Sequence, residues 1–475
     1  MIDSDFIYNE LDFAFPAQRF NIQYSYISKK GLPFIREFVL RLVHLAPLSK
    51  HQVLKYFGMS SSEVDEAISD LVDREELTLS AEGKLILTAK SSSYFTKIGD
   101  PPRVSNIQDA VATLSFDLPT FTCVEVPRVR GNWNACLTPE FELGNMSDSE
   151  KMAEKNFQLQ FEEILDKGYL KSLQPDELTE RPAVYTVNGV QKLGQVPFRL
   201  KTNFRMGSRG EAVERDDYEQ LNNSELMHEL VTSELSRLCK ANNSVSISKA
   251  MMKIGDEETL ELFDSSSNVI DPHRLHEMNV NSNGRPTFIG PLYSLENWEA
   301  IQQALTPILV SHATDKLQKE SGKFIWIAPS DGFWGKSDRF TASFSQFLHR
   351  ASTADRKIYS PLLYVPISDG ADVGAARRWK NEFQHEHEFV HGLVEGFLDG
   401  NVEILHLEGQ LSVVSYHFSL PEQFPVPVPI GFLTTDKEKV KKIGSLVSEY
   451  LGGIESFDKP NDCGLISSIV RSGSR

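Results

Sequence analysis

The order of apolar and polar positions is helical first. Phe34, Phe38, Leu42 and Leu45 recur on one face behind Pro33, a residue suited to a first turn, and predict a helix over 33–45. Pro47-Leu48 interrupts it. Ser49 with Gln52 three residues on has the form of a capping box, and Val53, Leu54 and Phe57 carry a second helix to a stop at Gly58. Ser60 with Glu63 opens a third helix in the same way, with Val64, Ile68, Leu71 and Val72 as its buried stripe. Two short β runs follow, over 77–79 and 85–88, joined at Ala81-Glu82-Gly83-Lys84.

Beyond Asp100-Pro101-Pro102, read as a linker, the pattern is mixed. It predicts a helix over 149–165, strands over 183–187 and 195–206, and helices over 225–238 and 248–253. Polar Ser/Asn-rich stretches at 264–268 and 279–283 read as loops, the second as a domain boundary. From Pro291 helices and strands alternate. Helices are expected over 294–319, 342–351, 376–398 and 437–451, and strands over 324–328, 362–367, 402–407, 411–418 and 427–433. That alternation predicts an α/β domain with a largely parallel sheet covered on both faces, ending in a hairpin. Ahead of the first helix, Phe6, Tyr8, Phe13, Phe15, Phe20, Tyr24 and Tyr26 make an arm too aromatic for a disordered tail; its surface packs on its own domain or on a partner.

The expected fold class is multidomain α+β. An aromatic arm (1–30) leads into the three-helix-and-hairpin domain (31–100) and a mixed α+β middle domain (101–285). An α/β C-terminal domain (286–455) and a flexible tail (456–475) complete the chain.

Helix, short helix, turn, helix and hairpin within 31–90 resemble the winged-helix family of the helix-turn-helix superfamily, over this segment only. The resemblance implies that the third helix is the one that would enter a DNA major groove, where basic and amide groups are needed. Here that helix and the residues after it carry Glu63, Asp65, Glu66, Asp70, Asp73, Glu75 and Glu76 against Arg74 alone. Carboxylates facing a polyanion repel it, so docking of protein is the expected use. The remaining bases nearby, Arg36, Arg41, Lys50, Lys55 and Lys84, lie on other elements, which leaves DNA contact through the hairpin or the second helix as the alternative.

Composition points the same way. A formal net charge of -17 over 475 residues gives no general field toward nucleic acid. The hydrophobic content of 40% supplies core for two to four domains. Cys123, Cys136, Cys239 and Cys463 have no paired spacing, which fits a reducing compartment. The first residues lack a signal-peptide core and no apolar run reaches spanning length, so the expectation is a soluble, cytoplasmic protein without a membrane partner.

Four stretches carry candidate chemistry. In the expected strand 195–206, Arg199, Lys201, Asn203 and Arg205 share one face, and Arg209 extends the row. This concentrated basic row in an acidic chain is the candidate nucleic-acid-binding surface, unless it is a solvated face paired with the acidic run 211–219. The loop SDGFWGKS supplies Gly335, Lys336 and Ser337 of a phosphate-cradling motif, but Ser330 stands where its first glycine belongs. The segment His387-Glu388-Phe389-Val390-His391 has the letters of the zincin motif. On a helix, His387, His391 and Glu395 would be metal ligands, with zinc as cofactor and Glu388 as general base. Against that, Glu386 precedes the first histidine, and His387 falls on the stripe of Trp379, Phe383, Val390, Val394 and Phe397, as a core histidine would.

The element order over 291–451 resembles one half of the phospholipase D-like superfamily. Its catalytic histidine, lysine and aspartate would fall where this chain has Gln410-Leu411-Ser412 and later His417, so the resemblance implies a catalytically inactive relative used for binding or assembly. Two functions are therefore expected. One is a non-catalytic adaptor in a prokaryotic nucleic-acid-processing assembly, such as antiviral defence, docking proteins through the winged helix and DNA through the basic strand. The alternative is a metal-dependent hydrolase.

Overall fold

Local capping is realised where the sequence places it. In the computed structural model, the described residues are 6–31, 34–58, 60–97, 102–126, 135–141, 148–171, 173, 181–207, 210–213, 215, 224–264, 269–270, 285–314, 322–351, 358–384, 386–452 and 460–472. Contacts group the chain into a larger unit (Met1–Phe15, Pro127–Glu142 and Arg199–Arg475) and a smaller one (Pro16–Val126 and Leu143–Phe198). The division is not linear along the chain. It falls inside two long strands, β1 (Phe6–Gly31) and β6 (Ala183–Met206).

In the smaller unit, α1 (Phe34–Leu45), α2 (Lys50–Phe57) and α3 (Ser61–Asp73) precede a hairpin of β2 (Leu77–Leu79) and β3 (Leu85–Leu87). Both capping boxes close: the Ser49 amide donates to Gln52 Oε1 at 2.8 Å, and the Ser60 amide to Glu63 Oε2 at 2.8 Å. Gly58 ends α2 in the left-handed region, at φ 64°, which glycine enters without steric cost. Val39, Leu40, Val43, Val53, Val64, Leu71, Leu77 and Leu85 form one small core. Val72, expected in the buried stripe, is exposed, because α3 turns its Val64 and Leu71 side inward. Pro33 lies outside the described residues.

The other part of this unit is a sheet with strand order β5-β4-β1-β6, where β4 is Arg103–Asp117 and β5 is Cys123–Val124. The expected aromatic arm is a strand here: β1 pairs antiparallel with β4 from Ala17↔Asp117 to Gly31↔Arg103. Phe20 packs on Phe116, and Tyr24 on Phe157 and Phe161. The helix expected over 149–165 is two, Ser149–Leu159 and Phe161–Asp166. Gln160 leaves helical geometry to accept the Cys123 amide and donate to the Phe121 carbonyl. The two strands expected over 183–206 are continuous as β6.

The larger unit is built on a mixed eight-stranded sheet in the order β16-β12-β11-β10-β13-β14-β15-β9. In chain order, after a small pair β7 (Phe263–Asp264) and β8 (Val269–Ile270), the strands are β9 (Thr287–Ile289), β10 (Lys323–Ile327), β11 (Ser360–Ile367) and β12 (Val390–Val394). They continue with β13 (Val402–Leu407), β14 (Leu411–Phe418), β15 (Val428–Thr434) and β16 (Asp462–Leu465). The expectation of a largely parallel sheet is corrected. Only β10–β11 and β11–β12 are parallel, and the other five pairings are antiparallel. Helices Leu295–Thr314, Asp338–His349, Val373–Glu382 and Lys437–Gly452 alternate with these strands, and Trp326, Phe324, Phe347 and Tyr359 centre the core.

The long helix expected over 376–398 is also corrected. It stops at Glu382, and Val390–Val394 is a strand. At Gly392 a Cβ would meet the ends of the Ile367 and Ile469 side chains, which would have to shift, so glycine suits the packing there. The apolar residues 379, 383, 390, 394 and 397 match helical spacing by coincidence across a helix and its cap, a strand and a 3-10 turn. The tail expected over 456–475 likewise contributes β16 and helix Ile466–Ser472, with Ile466 and Ile469 buried in the core. Among the described residues no helix is long and apolar enough to cross a membrane, and all four cysteines are free thiols.

Candidate docking surface and buried charge cluster

The outward side of α3 is acidic. Glu63, Asp65, Glu66, Asp70 and Asp73 are exposed, and Glu75 follows them. Glu76 is different: it is buried and paired with Arg36, whose Nε donates to its carboxylate at 2.7 Å. Arg74, the lone cation of the segment, donates to Asp70 at 2.8 Å, and Lys50 pairs with Asp65. The Ser60 amide and hydroxyl hold Glu63 below the usual carboxylate range. Between α1 and α3 lies a groove of about 370 Å³. Its apolar floor is Ile35, Ala67 and Leu71, and its rim Arg36, Glu63, Glu66, Asp70 and Arg74.

The candidate nucleic-acid row is engaged inside the protein. Arg199 donates to Asp12 and forms an ion pair with Asp338, each at 2.7 Å, and Lys201 pairs with Glu10 at 3.2 Å. Arg205 also has partners within the chain, and Arg209 lies outside the described residues. Asp12 is fully buried and accepts the Asp338 amide at the first turn of helix Asp338–His349, where the helix dipole favours an anion. Burial pushes the Asp12 carboxyl up to about 6, against the lowering effects of the Asp338 amide and Arg199. The partners of Arg199 and Lys201 are Glu10, Asp12 and Asp338, far away in sequence.

The HEFVH segment does not have the geometry its letters require. His387 opens a single 3-10 turn, His391 sits in β12 and Glu395 in the bend after it, so the shared helical face for zinc is not formed. His391 Nδ1 lies 3.2 Å from Asp462 Oδ1, and His387 Nδ1 lies 2.6 Å from the Gln384 carbonyl. Glu388 belongs to the same short turn. Among the described residues no group of three or more His, Cys, Asp or Glu is arranged to hold a metal ion. The loop after β10 is similarly occupied. Lys336 pairs with Glu382 at 2.6 Å, Ser337 caps helix Asp338–His349, and Phe333 and Trp334 are buried.

The unexpected feature is a buried charge cluster at the end of β10. His417 donates from Nδ1 to Asp331 at 3.1 Å and from Nε2 to Glu403 at 3.2 Å. The other oxygen of Glu403 accepts the indole N–H groups of Trp326 and Trp334, at 2.8 and 2.7 Å. Burial alone would depress the His417 imidazole; the two carboxylates overcome it and hold it at about 9, so it is an imidazolium at neutral pH. Asn243 and Asn401 continue the network, with Asn243 donating to Asn401 and to the His417 carbonyl, both at 2.8 Å. The cavity against this cluster is about 10 Å³, room for one water at most and none for a substrate. The cluster therefore ties loops to the sheet. Sequence reasoning passed over it, although Glu403 in VEILHL and His417 in LSVVSYHF are a signal: a charge in a fully buried strand has to be paired.

No protein-family profile matches the chain, no curated protein matches it, and no solved structure matches its fold.

Proposed function

We propose that the chain is a non-catalytic adaptor or scaffold subunit of a larger assembly, in which residues 34–87 act as a winged-helix module that docks partner protein rather than a DNA duplex. The observation that carries this reading is the charge on α3. Its exposed side bears Glu63, Asp65, Glu66, Asp70 and Asp73, and the Arg74 guanidinium is already held by Asp70. A duplex presents about one negative charge per 1.7 Å of axis, so each step of approach costs repulsion with no counterion release in return. The internal pairing of Arg199 and Lys201 supports leaving nucleic-acid contact through that row out of the reading. A place in a nucleic-acid-processing assembly would then come through protein contacts.

Fluorescence anisotropy with a short labelled duplex at low ionic strength tests this. The intact chain is expected to leave the duplex free, and a Glu66→Lys, Asp70→Lys, Asp73→Lys variant to bind it weakly and salt-sensitively. Binding by the intact chain that protects α3 from hydrogen exchange would overturn the docking assignment.

A further inference from the structure

The groove between α1 and α3 says more about what is docked. We infer that it seats an amphipathic helix of a partner polypeptide, one that carries Lys or Arg beside its apolar stripe. This rests on the docking reading above and narrows it to one seat and one chemistry.

The floor of the groove is apolar and already open. Ile35 is 42% exposed on α1, and Ala67, small and half-buried on α3, leaves the space that a larger residue would fill. Its volume of about 370 Å³ lies in the range of preformed binding pockets, about 300–1,000 Å³. A helix laid in a groove between two helices inserts side chains at i, i+3 and i+4, which suits a short apolar trough better than an extended strand does.

The rim decides the charge of the occupant. Arg36 is neutralised by Glu76 and Arg74 by Asp70, so neither cation is open to an anionic partner. Glu66 has no cation against it among the described residues, and the Glu63 carboxylate is engaged only by Ser60, a neutral group. The uncompensated charge at the rim is therefore negative and gathered at the N-terminal half of α3. A cationic flank answers it, whereas an acidic helix or a nucleic acid meets repulsion.

The test uses the full chain and two labelled synthetic peptides with the same apolar stripe, one flanked by lysines and arginines, the other by glutamates. Anisotropy at low and moderate salt is read for the intact chain, for Glu66→Lys, for Ala67→Phe, and for Glu438→Lys, an exposed site in helix Lys437–Gly452 that changes net charge equally. The basic peptide is expected to bind the intact chain and Glu438→Lys alike. It should bind Glu66→Lys and Ala67→Phe about tenfold more weakly, or worse, and the acidic peptide should not bind. Equal loss in Glu438→Lys would reduce the effect to general charge and overturn the groove assignment. No binding of the basic peptide, with the duplex also unbound, would remove this occupant while the docking reading stands. A duplex that competes with the peptide for the groove would overturn both.

Discussion

Replacing His417 with glutamine removes the one cation between Asp331 and Glu403. The paired state lifts the imidazole from its ordinary 6.5 to about 9. At about 1.4 kcal/mol per pH unit, that corresponds to on the order of 3 kcal/mol of stability in the larger unit. Because the folded-state value is raised, the contribution is complete below pH 6.5 and is lost as pH climbs toward 9. In the variant, Glu403 keeps its two indole donors, but one of its oxygens and the Asp331 carboxylate lose a charged partner in a dry site. Breaking a buried pair in this way costs about 3–5 kcal/mol. Urea unfolding followed by tryptophan emission reads it directly, since Trp326 and Trp334 donate to Glu403. The wild type should lose stability steadily between pH 6.5 and 9, while His417→Gln should be weaker at pH 7 and nearly flat across that window. Parallel pH profiles for the two proteins would refute the imidazolium assignment.

Two other substitutions test separate parts of the structure. Ser60→Ala removes the N-cap of α3 and should cost about 1 kcal/mol, seen as faster amide exchange over 61–73 with the larger unit unchanged. Arg199→Met leaves the buried Asp12 without its cation and should destabilise the larger unit by about 3 kcal/mol or more in urea unfolding. A neutral outcome would mean that Arg199 is a surface base after all, free to meet a phosphate.

How much could be read in advance depended on the range of the interaction. Capping boxes and the Gly58 stop are set by residues within four positions of one another, the hairpin after α3 by residues within ten, and they stand where the pattern puts them. So do strands β13 and β14, whose boundaries are fixed by adjacent turns. The pattern misled at 376–398, where apolar residues of a helix, a strand and a 3-10 turn happened to share helical spacing, and the basic row was legible in part. There alternation correctly placed Arg199, Lys201 and Arg205 on one face but could not show what lay opposite. The groove was half legible. The carboxylates of α3 were plain, while the Arg36–Glu76 pair that neutralises one side was not.

By itself, then, the amino-acid sequence determined the local elements and the acidic character of the third helix. Folding decided which charges remain available. Asp12 reaches Arg199 across 187 positions, and Asp331 reaches His417 across 86. Such pairings arise only when strands from distant segments come to lie side by side, and burial then makes each of them obligatory, because a lone charge in a dry interior is too costly to keep.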